Sequence, residues 1–324
     1  RKAEQINRRL IHSLWKFGTM NAAIMGSTDA LSTYLLMKQL SESGMSAYIG
    51  KMNADMATYG NEAEDTDASI RETIDLIERA RRLSGHVVYC ISPEFVPNCS
   101  DELLKRLGEL AVEYNLPVQS HMSEGETDTE IVKTRYGDLS YGKVYDIHRL
   151  FGQTTTIMAH AIYATKEEQK LMKKNGVTLA FCPVAISNIP SGKPFALSDF
   201  LYEGVHVGLG SDIGGGHTLN MMRIIVSAVH YSKFQQFFDH SKPLSVIEAY
   251  ALATVGGGKV FGKVGSFRTG YYFDALVIDD EELSPPKEGY SVKERVERFL
   301  YEGDYHYIKE RYCRGKLIKE PEKN

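Results

Sequence analysis

Residues 117–124 read PVQSHMSE, a short apolar run that ends in His121 and, three positions later, in Glu124. A similar run at 155–160 (TTIMAH) ends in His160, and residues 206–212 (HVGLGSD) end in Asp212. Short runs of small and β-branched apolar residues are typical of strands buried in a parallel sheet. The three stretches therefore predict strands that each end in a residue able to bind a metal or transfer a proton.

Outward from these stretches, a pattern of strand, loop and helix repeats along most of the chain. We predict seven buried strands, at residues 22–25, 47–51, 87–91, 117–120, 155–159, 178–181 and 206–209. So many consecutive β/α units favour an α/β fold of the (β/α)8 TIM-barrel type. No Gly-x-Gly-x-x-Gly follows an early strand, which weakens the alternative of an open, dinucleotide-binding sheet.

Helix-start signals lie between the predicted strands. Ser69, Thr165 and Ser245 each precede a glutamate by three positions, a capping-box pattern. Ser100 predicts a further helix start. Gly85 and Gly176 predict where the first two of these helices end, because glycine readily adopts the left-handed conformation at a helix C-terminus.

The last part of the chain has a different character. Residues 265–279 (GSFRTGYYFDALVID) combine glycine and aromatic residues with an alternating strand pattern, after the last predicted barrel helix. We therefore expect two parts, a β/α barrel at 1–262 and a small β element with a tail at 263–324.

Composition excludes several classes of protein. With 43% hydrophobic residues over 324 positions, the chain can bury a large core. A net charge of −4 argues against nucleic-acid binding through a basic surface. No apolar run approaches the roughly 20 residues of a membrane span. The four cysteines have no CxxC spacing and predict reduced, buried thiols in a cytoplasmic protein.

The strand-end residues form the candidate site. In a β/α barrel the C-terminal ends of the strands meet on one face, which brings His121, His160 and Asp212 together. Imidazole and carboxylate are ligands suited to zinc or iron, and a carboxylate such as Glu124 beside a metal-activated water can act as a base. Each residue taken alone fits a structural role better, as a hydrogen-bonded histidine or a helix-cap aspartate, so the prediction depends on their joint placement. His217, after three glycines, is a weaker candidate.

At this point the sequence resembles a known family. PVQSHMSE (117–124), IMAHAIY (157–163), a Cys-Pro pair at 182–183 and VGLGSDIGGGHTLNMM (207–222) together resemble the guanine deaminase branch of the amidohydrolase superfamily. KVGSFRTGYYFDALVID (263–279) extends the similarity toward the C-terminus. The resemblance covers nearly the whole chain in order.

The resemblance implies a role for each candidate residue. His121 and Asp212 would bind one divalent metal, zinc or alternatively iron. Glu124 would be the proton shuttle, Asp212 an acceptor for the attacking water, and His160 a contact to that water and the substrate. The implied reaction is hydrolytic deamination of a purine base, guanine to xanthine plus ammonia. The resemblance further implies a cytoplasmic homodimer that acts on a small molecule and binds neither nucleic acid nor membrane.

One departure from the family concerns the metal. The family has a His-x-His pair at the end of its first barrel strand, and this sequence contains no such pair. By motif, the strand at 22–25 corresponds to the second barrel strand. We therefore expect a barrel that lacks its first strand, a β-sandwich that lacks its first half, an N-terminally truncated chain, and weak metal binding.

Two further departures concern the substrate. Where the family has Arg-Phe after the fourth strand, this chain has Glu94-Phe95. Phe95 can still stack on a base, but an ionised Glu94 only accepts hydrogen bonds whereas arginine only donates them. At the seventh strand, Cys-Pro-x-Ser-Asn is replaced by CPVAI (182–186), so that two polar side chains become apolar Ala185 and Ile186.

These departures keep two alternatives open. The chain could be a catalytically silent amidohydrolase-like scaffold that acts by binding or assembly. It could also be an aminohydrolase, or a related hydrolase, that acts on a different heterocycle.

Overall fold

A row of parallel strands forms the centre of the computed structural model, which describes residues 2–58, 62–83, 86–189, 191–283 and 289–322. Its strands are β1 (Asn21–Met25), β2 (Ser46–Gly50), β3 (Met52–Asn53), β4 (Val87–Tyr89), β5 (Ser92–Pro93), β6 (Val118–Met122), β7 (Thr156–His160), β8 (Thr178–Phe181), β9 (His206–Leu209), β10 (Ala275–Ile278), β11 (Ile308–Cys313) and β12 (Lys316–Leu317).

Seven of these strands lie side by side in chain order. β1, β2 and β4 pair in parallel, and so do β6, β7, β8 and β9. Ile91 joins the two groups, because its N–H donates to Pro117 O and its carbonyl accepts from Gln119 N, each at 2.9 Å. The short pair β3–β5 extends β2 and β4 toward their C-terminal ends. This arrangement confirms the predicted α/β class with a parallel sheet.

Helices connect successive strands. They are α1 (Lys2–Lys16), α2 (Ala30–Ser43), α3 (Thr66–Ala80), α4 (Asp101–Glu113), α5 (Glu126–Tyr136), α6 (Tyr141–Ile147), α7 (Lys166–Asn175), α8 (Pro183–Asn188), α9 (Leu197–Glu203), α10 (Met221–Asp239), α11 (Val246–Ala251) and α12 (Val292–Glu302). Single 3-10 turns lie at Val96–Asn98, Lys259–Phe261 and Tyr305–Tyr307, and a π-helical turn at Leu252–Gly256.

Most of the predicted helix signals are confirmed. Thr165 and Ser245 form complete capping boxes at the starts of α7 and α11, and the Ser100 side chain accepts from Leu103 N at the start of α4. Gly176 ends α7 with a φ of 70°, as the helix-end pattern predicts. The prediction for Gly85 falls outside the described residues.

The predicted helix start at Ser69 is wrong. α3 begins at Thr66, with Asp65 as the N-cap whose side chain accepts from Ala68 N, so Ser69 lies within the helix and is buried. Its hydroxyl instead donates to Glu64 Oε2 at 3.0 Å and accepts from Asn53 Nδ2 at 2.9 Å. The Ser69 side chain therefore takes part in a tertiary hydrogen-bond network and does not cap the helix.

Two strand ends also differ from the prediction in a way that matters for the site. β6 and β7 run one or two residues further than the predicted 117–120 and 155–159, so that they include His121 and His160. Met122 pairs with His160 across the two strands, and His121 pairs with Ala159. The two histidines are thus held by the sheet itself rather than by a loop.

A small antiparallel sheet forms near the C-terminus. β10 pairs with β11 and β11 with β12. This part packs on α1, because Trp15 Nε1 donates to Ile318 O at 3.0 Å and the Arg311 guanidinium donates to Trp15 O at 2.6 Å. Arg311 also lies 4.1 Å from the Trp15 ring centre, a cation–π contact.

No helix among the described residues has both the length and the apolar character that a bilayer span requires.

Candidate active site

One cavity of about 240 Å³ collects the predicted site residues. It is lined by Glu94, Phe95, His121, Glu124, His160 and Asp212, together with Ile189 and Gly215. A larger cavity of about 480 Å³ is lined by residues of α8, α10 and the segment after α8, and its described lining contains no carboxylate. The smaller cavity is therefore the candidate active site.

The backbone at the site is held in an unusual conformation. Ser123, His160, Ala161 and Asp212 all have φ values between 45° and 70°, in the left-handed region that residues other than glycine rarely adopt. Such strain persists only where the surrounding structure enforces it, and it clusters at functional sites. All four residues lie where β6, β7 or β9 ends or just beyond that end.

His121 is oriented by the neighbouring strand end. Its Nδ1 atom lies 2.7 Å from the carbonyl oxygen of Glu94, which can only accept a hydrogen bond. Nδ1 therefore carries the proton, and the lone pair of the neutral ring is on Nε2, where it can bind a metal. The Tyr145 hydroxyl donates to the His121 carbonyl at 2.8 Å and lies 2.7 Å from Ser120 Oγ. A buried network thus fixes the strand that carries the histidine.

His121, His160 and Asp212 form a candidate site for a divalent metal. Each offers one ligand atom, and these three atoms lie within 4.8 Å of one another. His160 Nε2 lies 3.9 Å from Asp212 Oδ2, and the rings of the two histidines stack with their centres 5.4 Å apart. Burial and the nearby His121 lower the pKa of His160 to about 3, so its ring is neutral and can act as a ligand.

The donor set fits a borderline metal such as zinc. Two imidazoles and a carboxylate are usual ligands for such an ion, and three protein ligands is the usual number at a catalytic zinc site. His160 is almost fully buried, and its Nδ1 has no hydrogen-bond partner in the described part of the chain. The prediction of two metal ligands, His121 and Asp212, is thereby extended by a third candidate, His160. The expectation of weak metal binding stays a prediction.

Glu124 lies against this triad. Its Oε1 atom is 3.5 Å from His160 Nε2. Burial raises the pKa of Glu124, and the charges of Asp212 and Asp128 add to that effect while His121 opposes it. Burial likewise raises the pKa of Asp212. The two carboxyl groups share a partly desolvated cavity, which is the environment in which a carboxyl group can exchange protons near neutral pH.

Asp128 holds the backbone of Glu124 and was missed in the sequence. Its carboxylate accepts from Glu124 N at 3.1 Å and from Gly125 N at 2.6 Å, at the start of α5. Asp128 is buried, and it occupies the third helical position, from which a side chain can reach back to the N-cap backbone. That spacing after Gly125 is the signal that could have identified it.

Gly215 is the second missed residue. A Cβ atom at this position would lie 2.6 Å from Asp212 Oδ2 and 2.8 Å from Ile189 Cδ1, closer than real contacts allow. Asn188 Nδ2 donates to the Gly215 carbonyl at 2.8 Å and holds Gly215 close to Asp212. The run of three glycines after Asp212 is the feature of the sequence that could have identified this close contact. By contrast, His217 is exposed and does not line the cavity.

The fold and the triad at the ends of its parallel strands define a class, the amidohydrolases. The family model described as "Amidohydrolase family" matches residues 4–313, and the chain belongs to this family. Within the family, the chain groups with the guanine deaminases. It is 32% identical to guanine deaminase from Dictyostelium discoideum over 327 residues, which cover 98% of this chain and 72% of the relative.

Solved structures give the same result. A crystal structure of guanine deaminase from C. acetobutylicum with guanine bound in the active site has a TM-score of 0.93 and 41% identity. It is matched over 98% of this chain and 76% of its own. E. coli guanine deaminase has a TM-score of 0.88 and 27% identity, over 98% of this chain and 74% of its own.

Proposed function

We propose that this chain catalyses the hydrolytic deamination of a purine base, with guanine converted to xanthine and ammonia. One observation carries the proposal: Glu124 Oε1 lies 3.5 Å from His160 Nε2, so a proton-transferring carboxylate adjoins the His121–His160–Asp212 triad. The guanine deaminase relatives, one of them solved with guanine bound, support the choice of substrate.

The metal in this proposal is zinc, with iron as an alternative, held by His121, His160 and Asp212. When bound, such a metal lowers the pKa of a water molecule from 15.7 toward about 7, so that a nucleophile exists at neutral pH. A solved adenosine deaminase with bound zinc is 18% identical to this chain, and that similarity shows the fold alone.

In the proposed reaction each of these residues has its own role. The oxygen of water adds to the ring carbon that bears the amino group, the carbon–nitrogen bond breaks, and ammonia leaves. Glu124 takes a proton from the water and delivers it to the ring nitrogen, which makes that carbon easier to attack. The second proton of the water then passes to the amino group, which leaves as ammonia while the new carbon–oxygen bond becomes the carbonyl. Asp212 accepts a hydrogen bond from the water and keeps it oriented. His160, neutral and buried, contacts the water and the substrate.

The cavity itself suits a single flat base. Its volume of about 240 Å³ is below the roughly 300–1,000 Å³ of a typical ligand pocket. Phe95 lines it and can stack on an aromatic ring. A free purine base matches that space better than a nucleoside, which adds a sugar.

We further propose that the seven strands β1, β2, β4, β6, β7, β8 and β9 are strands 2–8 of a β/α barrel, with the barrel part at 1–262. In this proposal the sheet β10–β12 belongs to a small β-sandwich at 263–324. The pairing supports this proposal, because within the described ranges β1 pairs only with β2 and β9 only with β8. The cytoplasmic location and the homodimer remain predictions. Four buried free cysteines favour a reducing compartment.

Two measurements on the purified chain test this function. Incubation with guanine and added zinc should release ammonia and form xanthine, which absorbs at a different wavelength. Because metal binding is expected to be weak, a zinc titration should approach about one zinc per chain only when zinc is in excess. Tight, stoichiometric zinc would exclude the alternative of a silent scaffold. Zinc without ammonia release from guanine, or from a panel of other amino-heterocycles, would refute the enzymatic proposal.

A further inference from the structure

A carboxylate that plays no part in the metal triad lines the same cavity. Glu94 belongs to the loop after β5, and one of its oxygens, Oε2, accepts a hydrogen bond from Asn98 Nδ2. Asn98 is fully buried in the 3-10 turn that follows. Within the described ranges Asn98 is the one side chain that donates to this carboxylate, and among those residues Oε1 has no hydrogen-bond partner.

The backbone of Glu94 is fixed as firmly as its side chain. Its N–H donates to Asn53 O at 3.0 Å. Its carbonyl accepts from His121 Nδ1 at 2.7 Å and from Ser120 Oγ at 3.1 Å. A group held on both sides in this way pays little ordering cost when a ligand binds. The carboxylate is therefore positioned before substrate arrives, next to the strand end that carries the metal-binding histidine.

The fixed Glu94 carboxylate, with one oxygen already hydrogen-bonded, can bind a neutral ligand in the small cavity in one way. An ionised carboxylate only accepts hydrogen bonds, so the partner it lacks is an N–H or O–H donor. A substrate acceptor, such as a ring carbonyl placed there, would leave both groups unpaired, which is costly in a desolvated site.

We propose that Glu94 is a specificity-determining residue that accepts a hydrogen bond from an N–H donor of the substrate. This inference rests on the proposed function: Glu124 and the triad act at the amino-bearing carbon, and Glu94 binds a different edge of the same ring. The substrate class is then a free heterocyclic base with an amino group at the reacting carbon and a second N–H donor elsewhere. In a purine that donor is an amino group at position 6, the N–H at position 1 of a 6-oxopurine, or the N–H at position 9.

Two substrate pairs test the two donor positions. Guanine and 2,6-diaminopurine differ in the oxo or amino group at position 6 and, with it, in the proton on N1, and guanine and 9-methylguanine differ at the position-9 N–H. Within at least one pair the enzyme should prefer one member by about tenfold or more in kcat/KM, the effect of one hydrogen bond to a charged group. A preference for 2,6-diaminopurine would indicate the 6-amino group as the donor, a preference for guanine over 2,6-diaminopurine N1–H, and a preference for guanine over 9-methylguanine the position-9 N–H. Glu94→Gln, which can also donate, should reduce that preference toward equality. Glu102→Gln, an exposed charge change on α4, should leave it unchanged.

Measurements of ligand binding test the same inference when no reaction is detected. Adenine and hypoxanthine lack the 2-amino group and differ at position 6, and hypoxanthine and 9-methylhypoxanthine differ at position 9. Their dissociation constants, measured by calorimetry, should show the same Glu94-dependent preference. Preferences that are equal in the wild type and Glu94→Gln, for both pairs and in both assays, would overturn the inference. If no purine releases ammonia but the binding preference follows Glu94, the proposed reaction fails and this inference stands.

Discussion

His160 Nε2 lies 3.5 Å from Glu124 Oε1, although the two side chains come from the ends of different strands. His160 ends β7, and Glu124 follows β6 by two residues, so the parallel pairing of these strands brings them together. The contact joins the candidate metal triad to the candidate proton carrier. In the proposed reaction the triad binds the metal and Glu124 transfers the proton, and substitutions can distinguish these two roles.

Replacement of Glu124 by glutamine should remove the proton shuttle and leave the metal ligands intact. We expect kcat to fall by about 10² to 10⁴, the usual contribution of a general acid–base group, with zinc content unchanged. Ammonia release and metal analysis on the same preparation measure the two effects. Glu126→Gln, an exposed position two residues further along, is the matched control. Loss of zinc from Glu124→Gln would instead place Glu124 in the metal site.

Gly215→Ala should disturb the metal site through Asp212. The added methyl group would lie 2.6 Å from Asp212 Oδ2, so the carboxylate has to move. We expect zinc affinity to fall by about tenfold, the lower end of what changes around metal ligands cause. Competition with a chromophoric chelator measures it. Gly257→Ala is the control, because its Cβ would meet only Leu252 O, at 3.8 Å. Equal affinities in the two variants would contradict the prediction.

Asp128→Ala should affect both stability and turnover. It removes the acceptor for Glu124 N and Gly125 N, which costs about 1 kcal/mol of unfolding free energy, as for a lost helix cap. Because the same hydrogen bonds position the Glu124 backbone, kcat should also fall. Asp65→Ala removes the N-cap of α3, far along the chain from Glu124, and should cost similar stability without changing kcat. A parallel drop in kcat in both variants would show a general effect of destabilisation.

The parts of the site that could be predicted depend on residue type and strand order. His121, Glu124, His160 and Asp212 could be placed because β/α repeats bring strand ends to one face, whatever the details of packing. The repeat pattern also sufficed for the order of the strands. These predictions used only periodicity and the chemistry of side chains.

The parts that could not be predicted depend on distances between segments remote in sequence. Ser69 looks like a helix cap, yet its hydroxyl bonds to Asn53 and Glu64, and Asp65 caps the helix instead. The close approach of Gly215 to Asp212, and the bond between Asn98 and Glu94, exist only once loops are folded against each other. Periodicity carries no information on such contacts.

The stability of the fold should depend on pH through its buried histidines, of which His206 lies outside the candidate site. Burial lowers the pKa of this histidine, and Lys259 adds to that effect although a hydrogen bond with Gly256 O opposes it. In the unfolded chain this histidine has a pKa of about 6.5 and binds a proton below that pH. In the folded chain its pKa is lower, so between the two pKa values only the unfolded chain is protonated and is stabilised by that proton. Unfolding free energy should therefore fall as pH drops from 7.5 to 5.5. Urea unfolding at both values measures the change.

His206→Gln should reduce that dependence without abolishing it, because the variant takes up no proton at this position while His160, whose pKa burial lowers to about 3, still contributes. His230→Gln, at an exposed position on α10, should keep the wild-type difference between the two pH values. An unchanged pH dependence in His206→Gln would show that other groups set it.

Lys51 lies fully buried, and its ammonium group contacts the carboxylate of Glu64 while Glu72 Oε2 lies 3.6 Å away. The two acids differ in their surroundings: the Glu64 side chain is 17% exposed and that of Glu72 is 47% exposed. Glu64 also accepts from Ala54 N at 3.1 Å and from Ser69 Oγ at 3.0 Å. Glu64, rather than Glu72, is therefore the partner that compensates the buried charge.

Glu64→Gln should cost about 3 kcal/mol of unfolding free energy, because removal of one partner leaves a buried charge uncompensated. Glu72→Gln should cost less than about 1 kcal/mol, since its contact with Lys51 is long and half exposed to water. Denaturant unfolding of both variants at pH 7 provides the comparison. Adding Lys51→Met should recover stability in Glu64→Gln, because it removes the uncompensated charge. Failure of that recovery would assign the loss to the Ala54 and Ser69 hydrogen bonds instead.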